Sequence, residues 1–204
     1  MVEEYARMAE LARRMRVYFT TSMSAVSFFT FGMIVGAYFM LLAPFPEVLE
    51  NWPVALGGLL VIIVVAVAIL EKFTPRTHIR HHTPSEGAKW AFSFTAPFSL
   101  YAIPYLFPQH AVLCVTMWYP SLGLALLLAH LLIERRWASR DGMRAAPFLL
   151  ASTIIIATSP LVTYLTYSKG VAAAIFAEGL MLLAYYVAGA YALYKAHRAL
   201  LGEA

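Results

Sequence analysis

Four stretches of the sequence carry no charged residue, and the first of them is 30 residues long. These stretches are residues 17–46, 51–70, 90–133 and 145–168. A fifth apolar stretch, residues 170–194, carries a single charge, at Glu178. The hydrocarbon core of a bilayer is about 30 Å thick, and a helix of roughly 20 apolar residues crosses it. The chain is therefore expected to be an all-α integral membrane protein.

The longest stretch, residues 90–133, is expected to contain two crossings. As one straight helix it would be about 66 Å long at 1.5 Å per residue, far more than a bilayer core needs. Pro104 and Pro108, followed by Gln109 and His110, predict a turn in its middle. One domain, residues 1–204, with six transmembrane helices is predicted. Their expected limits are residues 19–43, 53–71, 90–106, 111–133, 147–166 and 171–194.

Basic residues predict how these helices are oriented. Of the 15 Lys and Arg residues, 14 precede the first predicted helix, follow the last, or lie in the segments that join helices 2 to 3 and 4 to 5. Lys169 is the exception. Loops rich in Lys and Arg stay on the cytoplasmic side during insertion. We therefore expect a multi-pass inner-membrane protein with both termini in the cytoplasm. Its net charge of +4 favours contact with anionic lipids and needs no nucleic-acid partner.

Residues 3–16 predict a short amphipathic helix that precedes the first crossing. Apolar side chains recur there at helical spacing, and Glu10 precedes Arg14 by four residues, which favours a helix. The apolar positions are Tyr5, Met8, Leu11, Ala12 and Met15. Such helices lie in the membrane interface. An interfacial anchor is expected, and a docking helix for a partner subunit is the alternative.

Apart from Glu71, the last residue of the second predicted helix, Glu178 is the only residue with a formal charge inside the six predicted helices. An ionised carboxylate in hydrocarbon costs at least about 2.5 kcal/mol on insertion scales, so intramembrane acids usually mark functional sites. No Lys or Arg lies within a predicted helix to neutralise it. Glu178 is expected to be protonated, hydrated, bound to a cation, or paired across an interface in a homo-oligomer.

Other polar residues and prolines are expected at the depth of Glu178. Folding the last two helices about their turn sets Glu178 level with Ser159 and beside Pro160, whose missing N–H leaves a carbonyl free. Many transporters build ion or substrate sites where broken helices meet near the midplane. The predicted ion- or substrate-binding set is Glu178, Ser159, Thr163, Tyr185, Pro160, Pro120 and Pro97.

A second candidate site lies between predicted helices 2 and 3, where His78, His81 and His82 have H-x-x-H-H spacing. The spacing resembles one histidine box of membrane fatty-acid desaturases and hydroxylases. Their di-iron centre needs several such boxes, and this chain holds only six histidines, so a di-iron centre is excluded. A Zn²⁺ or Ni²⁺ ion held by these histidines stays open. A basic, lipid-facing loop without a metal is the alternative.

No catalytic signature is complete in the sequence, and no catalytic residue or resident cofactor is predicted. The leading hypothesis is a small transporter or channel-like unit in which Glu178 binds a proton or a cation. The first alternative is a non-catalytic membrane subunit or assembly factor of a larger complex. The second is a metal-dependent membrane enzyme that uses the His78 loop.

Overall fold

A computed structural model describes residues 2–45, 47–48, 51–73, 84–141, 143 and 145–202. Regular structure in these residues is entirely helical, as the apolar stretches predict. The α-helices are α1 (Val2–Leu42), α2 (Trp52–Phe73), α3 (Pro84–Thr95), α4 (Ala102–Leu106), α5 (Trp118–Ala129), α6 (Arg135–Asp141), α7 (Pro147–Lys169) and α8 (Val171–Leu201). Two 3-10 helices, Ala96–Tyr101 and Pro108–Val115, and a π-helical turn, His130–Glu134, join some of them.

Three helices are long and apolar enough to cross a membrane: α1, α7 and α8. A fourth crossing is available if the 3-10 helix Pro108–Val115 and the helical stretch Trp118–Ser139 form one span, bent by 69°. α2 contributes a shorter apolar segment, Pro53–Val65. The described residues thus support a helical membrane protein, and the number of six crossings stays a prediction.

The predicted interfacial helix over residues 3–16 is not a separate element, which corrects the expectation from sequence. α1 runs without a break through all 41 of its residues, a length of about 61 Å at 1.5 Å per residue. No Gly or Pro lies near Arg16 and Val17 to end the helix there. Glu10 also accepts hydrogen bonds from Arg13 and Arg14, at 3.0 and 2.9 Å, along the same helix. The amphipathic segment therefore continues the axis of the first span.

The region predicted as helices 90–106 and 111–133 differs most from expectation. The first of these begins at Pro84 and contains the 3-10 helix Ala96–Tyr101, with Pro97 in its first turn. The second becomes α-helical only at Trp118. Pro120 explains this start, because a proline fits the first turn of a helix but clashes with the carbonyl four residues earlier. Helical structure then continues past residue 133, through the π-helical turn and α6.

α7 and α8 occupy the residues predicted for the last two helices, and a tight turn at Gly170 joins them. Gly170 has a φ of 54°, which a residue with a side chain rarely adopts. Its N–H donates to the Thr166 carbonyl at 3.0 Å. α8 continues seven residues past Tyr194, because Ala196 and Ala199, which follow Lys195 and Arg198, extend its buried face.

α8 packs along both α1 and α7, and small residues line much of its buried face. Small residues let helices approach closely in a membrane. A Cβ on Gly32 of α1 would lie 3.4 Å from Tyr185, and one on Gly36 would lie 2.8 Å from Leu182. Arg14 lies against Gly202, just past the end of α8. Higher residue numbers on α1 thus face lower residue numbers on α8, so the two helices are antiparallel. The start of α1 and the end of α8 therefore lie at the same end of this helix pair.

Candidate functional site

Glu178 is on the face of α8 that packs against α1, and only 4% of the residue is exposed. A Cβ on Gly36 would lie 3.4 Å from Glu178 Oε1, so the carboxyl rests directly against the α1 backbone. Neither carboxyl oxygen has a hydrogen-bond partner among the described residues. We call this contact surface, formed by Gly32, Gly36, Glu178, Leu182 and Tyr185, the α1/α8 seam. It holds an isolated acid in apolar surroundings.

The position of Glu178 in the seam follows from the buried stripe along α8. Buried residues recur every three or four positions on one face of the helix, and Glu178 belongs to that face. Ala174, Ala177 and Met181, its neighbours on this face, are all buried. The sequence predicted the depth of Glu178 and left the rotation of its helix open. The structure turns it inward.

The structure does not join the predicted companions on α7 to Glu178. Ser159 is half-buried and donates to the carbonyl of Ile155, at 2.8 Å, within its own helix. Thr163 is half-buried, and Pro160 is exposed on the outer surface of α7. In the part of the chain that the structure describes, no hydrogen bond connects these residues with the carboxyl.

Tyr185 is the predicted companion that shares the seam with Glu178. It lies seven residues further along the same face of α8 and is buried. Its ring packs edge-on against Phe28 of α1, with 5.3 Å between ring centroids. Pro97 is buried in its 3-10 helix, and Pro120 is half-buried in the first turn of α5. The prolines therefore set the shape of the neighbouring segments.

Trp118 brings a second unsatisfied polar group to the level of Glu178. Its ring stacks on Phe39 of α1 at 5.3 Å, and Phe39 is one turn beyond Gly36. Trp118 Nε1 is buried without a hydrogen-bond partner in the described ranges. An indole N–H donates, and a carboxylate accepts. Buried polar groups are rarely left unpaired, so Glu178 and Trp118 are both exceptions that need an explanation.

A second buried acid, Glu134, escaped the sequence reasoning because the predicted helix ended at Ile133. Only 1% of Glu134 is exposed. Its Oε2 lies 2.6 Å from His130 Nδ1, and its Oε1 accepts a hydrogen bond from the Phe148 N–H at 3.1 Å. Phe148 is in the first turn of α7, where backbone N–H groups lack helical partners and the helix dipole is positive. Glu134 therefore joins the π-helical turn to the start of α7.

The spacing of His130 and Glu134 was the available signal for this contact. Residues four apart lie on one face of a helix, so an acid four residues after a histidine predicts a pair if the helix continues. The helix does continue, through a π-helical turn that spans both residues. Such turns are frequent at functional sites.

The predicted metal site at His78, His81 and His82 lies outside the described residues. Within the described ranges, no group of three or more His, Cys, Asp or Glu residues is placed to hold a metal ion. No protein-family model, curated protein or solved structure matches the chain.

Proposed function

We propose that the protein is a small transporter or channel-like unit of a cell membrane in which Glu178 binds a proton or a cation. The observation that supports this most is the state of the carboxyl, which is buried between two long apolar helices and has no hydrogen bond from any described residue. Acids within membrane spans are costly to keep, and the default explanation for one is function.

The mechanism follows from what each form of Glu178 requires. A protonated or cation-bound carboxyl is close to neutral and fits the closed seam between α1 and α8. A bare carboxylate needs water or another donor, since an isolated charge in apolar surroundings costs far more than it gains. Release of the ion would therefore accompany opening of the seam to water, and binding would accompany closure. Gly32 and Gly36 give α1 a smooth surface on which this movement can occur.

The proposal includes a multi-pass inner-membrane protein with both termini in the cytoplasm. Fourteen of the 15 Lys and Arg residues, all except Lys169, fall in segments predicted on one side, where they would meet anionic lipid. The contact between Arg14 and Gly202 supports an arrangement with both chain ends on the same side.

Ion flux into lipid vesicles tests the proposal. The full chain is reconstituted with a pH-sensitive dye inside the vesicles, and ion gradients and a membrane potential are imposed. We expect Glu178→Gln to abolish flux, because the amide keeps the shape of the side chain but cannot take up an ion. Glu47→Gln, the same change at an exposed acid, is the matched control and should transport like the wild type. Normal flux in Glu178→Gln would refute the proposal.

A non-catalytic membrane subunit or assembly factor is the second candidate, and one observation favours it. The extension of α1 beyond the span exposes an apolar stripe, with Tyr5, Met8, Leu11 and Met15 between 44% and 66% exposed. A polar headgroup layer is only several ångströms thick, so a helix that continues straight carries much of this stripe past it. A partner subunit or a second copy would cover it. Tyr5→Ser with Met8→Ser should then release a partner that co-purifies in mild detergent with the wild-type chain.

A further inference from the structure

We propose that the ion bound by Glu178 is a proton and not a metal cation. This inference rests on the proposed role of that carboxyl and narrows it. It rests on the surroundings of the carboxyl: in the described residues neither of its oxygens has a hydrogen-bond partner, and no cluster of three or more His, Cys, Asp or Glu residues is placed to hold a metal ion.

A metal cation requires several oxygen ligands at once. Ca²⁺ takes about six to eight oxygens, and Mg²⁺ demands a near-octahedral set. Near Glu178 on the buried side of α8 lie Ala174, Ala177, Met181 and Leu182, and Gly36 of α1 lies against the carboxyl. These side chains contribute no oxygen. Tyr185 carries the one other side-chain oxygen of the α1/α8 seam, two turns further along α8. The two oxygens of one carboxylate are a poor substitute for a coordination shell.

Backbone carbonyls of α1 and α8 do not supply the missing oxygen ligands either. Transporters that bind Na⁺ at the midplane use carbonyls freed where a helix is unwound. α1 and α8 are both uninterrupted α-helices through the seam, so their carbonyls are engaged in helical hydrogen bonds. Trp118 Nε1, a buried group without a hydrogen-bond partner in the described residues, is a donor and has the wrong polarity for a cation.

A proton needs none of these ligands. It forms one covalent O–H bond to a carboxylate oxygen, which leaves a neutral group of almost unchanged size against Gly36. On release the proton passes to water, and the remaining carboxylate can accept a hydrogen bond from water. Tyr185 is the titratable side chain on α8 that interacts electrostatically with Glu178. On α1 the residue shown against the carboxyl is Gly36, and Ser159 and Thr163 on α7 do not ionise in the physiological range.

Infrared difference spectroscopy tests the inference on the full chain in vesicles of phosphatidylcholine and phosphatidylglycerol. The carbonyl band of a protonated carboxyl is followed against pH and assigned to Glu178 by its loss in Glu178→Gln. Glu178→Asp keeps a carboxyl and should keep a titrating band, which separates loss of the group from loss of the fold. The titration is repeated at increasing NaCl, KCl and CaCl₂, with choline chloride holding ionic strength constant.

We expect the midpoint of the titration to be independent of all three cations. A cation that competes with the proton would lower the midpoint by about one pH unit for each tenfold increase in its concentration above its Kd. That shift would overturn the inference while leaving a cation transporter intact. A cation-independent midpoint without ion flux would support proton binding and refute transport. A Glu178 band that does not change with pH would overturn both.

Discussion

Glu178 and Glu134 are both almost fully buried, yet their surroundings are opposite. Glu134 has a partner on each oxygen, His130 on one and the Phe148 N–H on the other. Glu178 has no partner on either oxygen among the described residues. The two acids are therefore alike in burial and differ in the hydrogen bonds that their carboxyls make.

The same contrast extends to the helix packing around each acid. Hydroxyl pairs tie the region of α5 to α7: Thr116 to Thr166 at 2.6 Å, and Tyr119 to Thr158 at 2.7 Å. Such bonds hold two helices in one register. In the α1/α8 seam, Gly32 and Gly36 instead pack against Tyr185 and Leu182. Glu134 therefore lies on a side where helices are joined by hydrogen bonds, and Glu178 lies where they are joined by packing.

Removal of Glu134 should have the largest effect on stability. Glu134→Ala leaves His130 Nδ1 without its partner and the Phe148 N–H without its acceptor. Breaking a buried, hydrogen-bonded pair costs about 3–5 kcal/mol, and a loss in that range is expected in the free energy of unfolding. Unfolding in mixed detergent micelles measures it.

Glu178→Gln provides the comparison for that result. The Glu178 carboxyl makes no hydrogen bond in the described residues that an amide would lose. The substitution should therefore change the free energy of unfolding by no more than about 0.5 kcal/mol, as neutral substitutions do. Equal destabilisation by the two substitutions would show that the contrast between the acids is not real.

Close packing between α5 and α7 predicts the next largest effect. A Cβ on Gly123 would lie 2.9 Å from Ile155, a stiff and fully buried side chain of α7. Overpacking of this kind costs about 1–3 kcal/mol, so Gly123→Ala should be destabilised by that amount. Gly36→Ala meets the flexible tip of Leu182 and should lose less. Gly179→Ala, where a Cβ has open space, is the control, and Gly36→Ala proving worse than Gly123→Ala would contradict this account.

The smallest effect is expected from the loss of a single hydroxyl between α5 and α7. Tyr119→Phe removes the hydrogen bond to Thr158 and keeps the ring in place. Interhelical hydrogen bonds in membranes contribute about 0.6 kcal/mol on average, and a loss near that value is expected in the same unfolding assay. Tyr164→Phe, at an exposed tyrosine of α7, should leave stability unchanged. Equal losses in the two variants would remove the special role of the Tyr119 bond.

The sequence predicted the helical membrane class and drew attention to Glu178, because charge-free stretches and a lone acid are visible without a structure. It did not predict that Glu178 faces α1, since the rotation of α8 depends on packing between distant segments. It missed Glu134 because the helix was assumed to end at the first charge after the apolar stretch. The break before Trp118 is readable in hindsight from Pro120, yet a proline alone does not say whether a helix kinks or begins there.

The continuity of α1 has a mechanical consequence. No proline interrupts its length of about 61 Å, so the exposed segment near Met8 and the glycine against Glu178, Gly36, belong to one helix. At about 1.5 Å for each intervening residue, they lie more than 40 Å apart along its axis. A tilt of the whole helix would therefore displace both of them at once.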